Sequence, residues 1–109
     1  MENNAFTLAM YRVKSGNEDK FIAAWNELAD LFVSLPNPPI WGTLIRSVSD
    51  PTLFYSFGPW HSGEDVRAMR TNPQAGQLFA KLSELCTELT PGDYELVTHV
   101  DVAQRRGVQ

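Results

Sequence analysis

The sequence has a single cysteine, two histidines and no long apolar run. One cysteine excludes an internal disulfide and is typical of a reducing compartment, so we expect the protein in the cytoplasm. No stretch approaches the ~20 apolar residues that a membrane-spanning helix needs. The N-terminal residues, MENNAF, lack the apolar segment of a signal peptide. We therefore expect no membrane association.

Positive charge is also scarce. Nine lysines and arginines stand against thirteen acidic residues, which gives a net charge of −4. Nucleic-acid binding needs clustered cations, so we expect no nucleic-acid partner. The seven glycines form neither a GxGxxG nor a Walker pattern, and the histidines and carboxylates lack metal-ligand spacing. The sequence thus predicts no metal and no other cofactor.

What the chain does contain is a normal globular composition. Of its 109 residues, 43% are hydrophobic and 20% are charged, which is enough to bury a core. No linker divides it. We predict one domain over residues 1–109, with a folded core over 5–102 and a frayed polar tail over 103–109.

Hydrophobic periodicity predicts the order strand, helix, strand, strand, helix, strand. The capping-box spacing of Ser15 and Glu18 predicts the start of a long helix, which the prolines from Pro36 onward end. Ser62 and Asn72-Pro73 predict the starts of a short helix and of the second long one. The predicted strands cover 5–13, 41–49, 52–58 and 94–102, with turns at 49–52 and 90–93, and the last helical stripe runs from Leu78 to Leu89.

This order predicts an α+β, ferredoxin-like fold. Two helices then lie on one face of a four-stranded, mixed antiparallel sheet, with the first and third strands central and parallel. The strands, however, are apolar on both faces: Phe6, Leu8 and Met10 alternate with Ala9 and Tyr11. Two helices cover only one face, and an exposed apolar face is unusual in a monomer. We therefore predict a homodimer joined through the sheet faces.

The arrangement of aromatic residues and caps adds a resemblance. A Gly-containing turn leads into an acidic helix with Phe21 and Trp25, and an aromatic strand ends in Trp60, followed by Ser-x-Glu-Asp and, later, Asn-Pro. Over residues 5–102 the chain resembles the antibiotic biosynthesis monooxygenase-like family of dimeric α/β barrels. The resemblance implies two ferredoxin-like protomers with a shared barrel, and oxidation of polycyclic phenolic or anthrone substrates by dioxygen without metal or flavin.

Only part of the family's polar pattern is present. The haem-degrading branch has an Asn on the first strand, and AFTLAMYRV has none. The anthrone-oxidising branch has an Asn where this chain has Ser56 and a Tyr where it has Val66, whereas Trp60 matches. The resemblance therefore implies anthrone- or quinol-type oxidation rather than haem degradation.

Four residues are candidates for substrate binding. Trp60 and Ser56 share strand parity, so a large side chain lies beside small ones and either flanks a cavity or interdigitates with helix side chains. Trp25 and Phe79 belong to helix stripes, which form core by default and would also roof a cavity over the sheet. The predicted substrate is a small hydrophobic aromatic molecule.

The candidate catalytic residues are Trp60, Arg46 and His99. Arg46 either pairs with an anionic substrate oxygen or forms a salt bridge. His99 has a carboxylate two residues away on the predicted last strand, which orients an imidazole or simply marks an exposed edge. We interpret His61 as a surface residue. Arg70 stands where the resemblance implies a helical segment that faces the pocket, but it lies one turn after Arg67, and the two more simply form a solvated helix face.

Two functions remain open at this stage. The first is a cofactor-independent monooxygenase that acts with dioxygen on a quinol- or anthrone-like substrate. The second is a non-catalytic dimeric barrel that binds a small hydrophobic ligand or a protein partner. An apolar cavity serves both functions, and polar catalytic residues are few.

Overall fold

The computed structural model describes residues 4–107. The bounds of its strands and helices are, in chain order, β1 (Ala5–Val13), α1 (Glu18–Val33), β2 (Thr43–Arg46), β3 (Leu53–Trp60), α2 (Gly63–Arg70), α3 (Pro73–Glu84), β4 (Cys86–Glu95) and α4 (Val102–Arg105). The α+β class and the ferredoxin-like order are confirmed. Over the described range 4–107, no helix has the length and apolarity to cross a bilayer.

The sheet has the strand order β2-β3-β1-β4, so β1 and β3 are central as predicted. The prediction that these two strands are parallel is wrong, because β1 pairs antiparallel with both β3 and β4, and β2 pairs antiparallel with β3. The reason lies in the connections. The α1 crossover returns β2 in the direction of β1, and the hairpin then reverses β3 against both.

The core lies between one sheet face, here the helical face, and helices α1 and α3. Residues of β1 and β3 alternate, and the set that points to the helices is buried: Ala9, Tyr11, Val13, Phe54 and Trp60. Helix α1 contributes the fully buried Phe21, whose ring centroid lies 4.9 Å from those of both Tyr11 and Phe54. Burial of these side chains is the main stabilising term of the domain.

Within residues 4–107 no helix packs on the opposite sheet face, here the open face, and only the Trp41 ring lies against it, with its centroid 6.3 Å from that of Phe6 and 6.1 Å from that of Phe57. Register places mostly apolar residues there, together with Thr43 and Thr90: Phe6, Leu8, Met10, Ile45, Leu53, Tyr55, Phe57 and Tyr94. Several are strongly exposed, including Ile45 at 48% and Tyr94 at 57%. The strands therefore present apolar residues on both faces, which is the observation behind the predicted homodimer. The dimer itself stays a prediction.

Two of the predicted helix starts are confirmed and one is wrong. Ser62 Oγ accepts from Asp65 N at the start of α2, and Asn72 Oδ1 accepts from Gln74 N at the start of α3. Ser15 does not cap α1, which begins two residues later than that prediction implies, with Asn17 at the N-cap position. Instead, Glu18 Oε1 accepts from Gly16 N, whose φ of +94° forms a turn that glycine adopts without strain.

The β2–β3 hairpin is shorter than predicted at its first strand. Only Thr43–Arg46 pair with β3, rather than residues 41–49. The turn also lies one residue later, because Leu53 N donates to Asp50 O (3.1 Å). Pro51 is then the second residue of that turn, the position that proline favours.

The largest correction concerns the last strand. Helix α3 ends at Glu84 and β4 begins at Cys86, so the predicted helical stripe to Leu89 and the turn at 90–93 are wrong. Proline and glycine are turn signals, yet Pro91 and Gly92 lie within β4 opposite Ala9 and Leu8. An edge strand has one row of unpaired N–H groups, so it tolerates proline.

The segment after β4 also differs from the prediction. Residues 96–100, predicted as strand, have no regular secondary structure and are exposed, with only Leu96 N donating to Asn4 O (2.6 Å). The predicted tail includes the short helix α4, where Asp101 Oδ1 accepts from Gln104 N (3.0 Å). Its last two residues, 108–109, lie outside the described residues.

Candidate active site

A cavity of about 370 Å³ lies between the helical face of the sheet and helices α1 and α3. This volume is in the range of small-molecule sites. The lining is mostly aromatic and aliphatic. Its main contributors are, from the sheet, Thr7, Ala9, Tyr11, Ser56, Gly58 and Trp60, from α1, Trp25, Leu28, Ala29 and Phe32, and from α2 and α3, Met69, Arg70 and Phe79.

The floor of the cavity is a patch of small residues on the two central strands. Thr7 lies opposite Gly58 and Ala9 lies opposite Ser56 in the β1–β3 register. Four small residues, one of them glycine, therefore form one patch on the helical face, and the large side chains of Tyr11 and Trp60 lie at its two ends. Trp25 and Phe32 of α1 line the cavity above this patch. The sequence thus builds the cavity through an alternation of large and small residues.

The segment 38–42 closes one end of the cavity. Its residues Pro38 to Gly42 contribute to the lining, and Ile40 N donates to Pro59 O (2.9 Å), which ties the segment to the sheet. The backbone of Trp41 and Gly42 passes directly over Gly58. A Cβ atom at position 58 would overlap the Trp41 carbonyl oxygen and lie 3.2 Å from Gly42 Cα. Glycine at position 58 therefore permits the segment to close on the sheet.

Two hydrogen-bonded pairs supply polar groups to the lining. The hydroxyls of Tyr11 and Ser56 are 2.8 Å apart, and Trp60 Nε1–H donates to Thr7 Oγ1 (3.0 Å). Two hydroxyls share one hydrogen bond in the first pair, so one proton remains to donate to a bound molecule whichever way the pair is oriented. The Trp60 indole is held in addition by an edge contact with Phe32, with ring centroids 5.4 Å apart.

Burial controls the chemistry of Tyr11. The side chain is 1% exposed, and desolvation raises the pKa of its phenol above the usual 10.0. Contacts with Ser56 and Trp25 and the charge of Arg70 favour the phenolate and oppose this shift, but burial is the larger effect. Tyr11 is therefore a neutral hydrogen-bond donor at physiological pH rather than a base.

We expect this shift to appear in the pH dependence of stability. A group whose pKa is raised by folding stabilises the fold below its unfolded pKa of about 10, and that contribution is lost as pH rises through the folded pKa. The Tyr11→Phe variant should lose about 1 kcal/mol at pH 8, from the missing hydrogen bond to Ser56, and should decline less steeply above pH ~10. Denaturant unfolding across this range measures both effects. Parallel curves for the two proteins would contradict the assignment.

A single charged residue, Arg70, lines the cavity within residues 4–107. It is the last residue of α2, and its Nη2 lies 2.6 Å from Asp93 Oδ1 on β4. Its guanidinium carbon also lies 6.0 Å from the Phe79 ring centroid. Arg70 is thus held at the cavity wall by an ion pair and an aromatic ring, and is not part of a solvated face with Arg67 as the sequence suggested.

The structure brings together all four residues that the sequence proposes for substrate binding, Trp25, Ser56, Trp60 and Phe79, in this one cavity. Whether they bind a substrate stays a prediction. The candidate catalytic residues Arg46 and His99 lie elsewhere. The guanidinium of Arg46 packs 4.9 Å from the ring centroid of Phe54, outside the lining, and His99 is exposed after the end of β4. His61 is exposed as well.

Sequence reasoning missed Tyr11 as a site residue and favoured a solvated helix face over the pocket for Arg70. Strand parity places Tyr11 on the helical face with Ala9, but its contact with Ser56 depends on the β1–β3 register. Arg70 is recognisable only once Asp93 is known to lie in β4 rather than in a turn. In the part of the chain that the structure describes, no three His, Cys, Asp or Glu side chains form a metal-binding group.

No protein-family description and no curated protein matches the sequence. Solved structures with the same fold do match the chain. A variant of SnoaB, a cofactor-independent oxygenase from Streptomyces nogalater, is similar with a TM-score of 0.82 and 16% identity over 92% of this chain and 98% of that chain. A conserved protein from Methanosarcina mazei is similar with a TM-score of 0.78 and 14% identity, over 88% and 95% of the two chains. The chain shares its fold with the structures of antibiotic biosynthesis monooxygenase-like proteins.

Proposed function

We propose that the protein is a cofactor-independent monooxygenase that uses dioxygen to oxidise a hydrophobic aromatic substrate of the quinol or anthrone type. The observation that carries the proposal is the apolar cavity of about 370 Å³ with a neutral hydroxyl pair on its wall. The fold shared with SnoaB, described as a cofactor-independent oxygenase, supports the same reaction class. The cavity volume suits a molecule of two or three fused rings.

The proposed reaction balances without a reductant. An anthrone-type substrate loses a carbon-bound proton, and its anion transfers one electron to dioxygen. The radical and superoxide then combine to form a carbon–oxygen bond, and protonation gives a hydroperoxide. Loss of water from the hydroperoxide, with the second carbon-bound hydrogen, leaves a carbonyl group. One oxygen atom of dioxygen ends in the product and the other in water, so the methylene carbon supplies all four electrons.

The hydroxyl pair has a defined role in this reaction. Tyr11 and Ser56 together retain one free O–H, which donates to the substrate oxygen on which the negative charge develops. A donor oriented in this way is typically worth about 3 kcal/mol in the barrier, because the surroundings are apolar and need no reorganisation. Trp60, fixed by Thr7 and Phe32, forms the flat wall against which the ring system packs.

We further propose that the working form is a homodimer in which the open sheet faces of two copies pack together. The apolar residues of that face are the support, since they are as numerous as those that face the helices. The cytoplasm is the proposed compartment, because the only cysteine is a free, buried thiol.

Oxygen uptake tests the proposed function. Incubation with anthrone, which has the methylene carbon that the reaction needs, should consume dioxygen faster than the protein-free solution does. Trp60→Phe should lower the rate at least about 10-fold, because it leaves the Thr7 hydroxyl without its donor and changes the cavity wall. Arg105→Ala, an exposed change in α4, is the control and should leave the rate unchanged. Equal rates in both variants would remove Trp60 from the site.

One observation favours the second candidate function, ligand binding without catalysis. Over residues 4–107 the cavity lining includes no histidine and no carboxylate to accept the substrate proton. Under the monooxygenase proposal that proton goes to solvent. Tight binding of anthrone with no oxygen uptake above the protein-free rate would favour the binding function instead.

A further inference from the structure

The Arg70 guanidinium at the cavity wall has more N–H donors than its partner Asp93 accepts from. A guanidinium has five N–H donors. Within residues 4–107 the only acceptor that the Arg70 side chain reaches is Asp93, through one contact at 2.6 Å. The Arg70 side chain is 28% exposed, so it is partly withdrawn from water. Its remaining donors stand beside an otherwise uncharged lining, which is the setting in which an arginine recognises an anion.

The position of Arg70 is fixed before any ligand binds. Asp93 holds it from β4, and the Phe79 ring lies 6.0 Å from the guanidinium carbon. Arg70 and the Tyr11–Ser56 pair line the same cavity. An anion bound at Arg70 and a ring oxygen bound at the Tyr11–Ser56 pair would therefore contact two different parts of one wall. Such an arrangement fixes both the identity and the orientation of a flat molecule.

We propose that the substrate is an aromatic carboxylate whose carboxylate group binds Arg70, and that Asp93 is a positioning residue that also weakens this binding through its own charge. That this ligand is a substrate rests on the proposed function, whereas the ligand class follows from the site alone. A carboxylate matches the planar fork of the guanidinium and is ionised at neutral pH. The fused rings then lie over the small-residue floor between Thr7 and Ser56.

The role proposed for Asp93 predicts the direction in which anion affinity changes when its charge is removed. If Asp93 only held Arg70 in place, its removal would weaken anion binding. Asn at position 93 keeps an oxygen acceptor for Arg70 Nη2 and removes the negative charge that competes with the ligand. The Asp93→Asn variant should therefore bind an aromatic carboxylate about 3- to 10-fold more tightly, because one like charge has left the vicinity of the ligand.

The test is a comparison of 2-naphthoate with its neutral isostere 2-naphthamide by calorimetry. Neither compound is oxidised by the proposed reaction, so the result is independent of turnover. The unmodified protein should bind naphthoate at least about 10-fold more tightly than naphthamide, since hydrogen bonds to charged groups are the strong ones. Arg70→Gln should abolish this preference and change naphthamide affinity less than about 3-fold. Arg70→Lys should retain part of the preference through its charge.

Arg67→Gln is the matched control, because Arg67 lies one turn earlier on α2 and is exposed. It should leave both affinities unchanged. Equal affinities for the two compounds, a preference that survives Arg70→Gln, or weaker naphthoate binding by Asp93→Asn would each overturn the proposal. Oxygen uptake with neutral anthrone would still stand in those cases. Conversely, a preference that depends on Arg70 without any oxygen uptake would support this site and contradict the monooxygenase.

Discussion

Replacing Leu8 with lysine should convert the proposed dimer into a monomer. Leu8 lies at the centre of the open face, opposite Phe57 on β3 and Gly92 on β4. Two lysines, one from each copy, would be buried there without a partner, and an unpaired buried charge costs several kcal/mol. We expect the dissociation constant to rise more than about 100-fold. Light scattering at micromolar concentration should then give half the mass of the unmodified protein.

The control for this variant is Gln77→Lys, which adds the same charge at an exposed position of α3. It should leave the dimer intact. A monomeric mass for the unmodified protein would contradict the proposed dimer directly, and a dimeric Leu8→Lys variant would place the interface elsewhere.

Replacing Gly58 with alanine should be among the most damaging small changes in the chain. The added methyl group meets the Trp41 carbonyl oxygen and Gly42 Cα, both backbone atoms that cannot rotate away. The segment 38–42 must then lift from the sheet, which breaks the hydrogen bond from Ile40 N to Pro59 O. We expect a loss of about 3 kcal/mol and a fall in Tm of about 10–20 °C. Calorimetry measures both.

Gly76→Ala is the matched control for the backbone effect of an added methyl group. A Cβ atom at position 76 meets nothing within 4 Å, and the residue lies inside α3. Alanine there should be neutral or should stabilise the protein by up to about 1 kcal/mol, since alanine is the better helix former. If Gly58→Ala has the same small effect, segment 38–42 does not close the cavity as tightly as the contacts indicate.

The parts of the fold that depend on local signals could be predicted from the sequence. Alternation along AFTLAMYRV and LFYSFGPW fixes which side chains share a face, and Ser62 and Asn72 fix two helix starts through their side-chain oxygens. The same alternation identifies Ser56 and Trp60 as neighbours on the helical face. These inferences hold because side-chain direction in a strand depends only on parity.

The parts that depend on pairing between distant segments could not be predicted. Pro91 and Gly92 carry a strong turn signal, and only the edge position of β4 makes them acceptable in a strand. The predicted last strand, 94–102, begins eight residues too late, so it places Asp93 in a turn and His99 in a strand. It also concealed the partner of Arg70, so the one charged residue of the cavity was interpreted as a surface residue.

The buried thiol of Cys86 has a consequence for the proposed reaction with dioxygen. Cys86 is 7% exposed, and desolvation raises its pKa, so the sulfur remains a protonated thiol. Peroxide attacks the thiolate form, and superoxide that escapes from a catalytic cycle dismutates to peroxide. With its only sulfhydryl protonated and buried in the core, the chain should survive many turnovers of the proposed reaction without sulfenic acid formation or covalent cross-linking between copies.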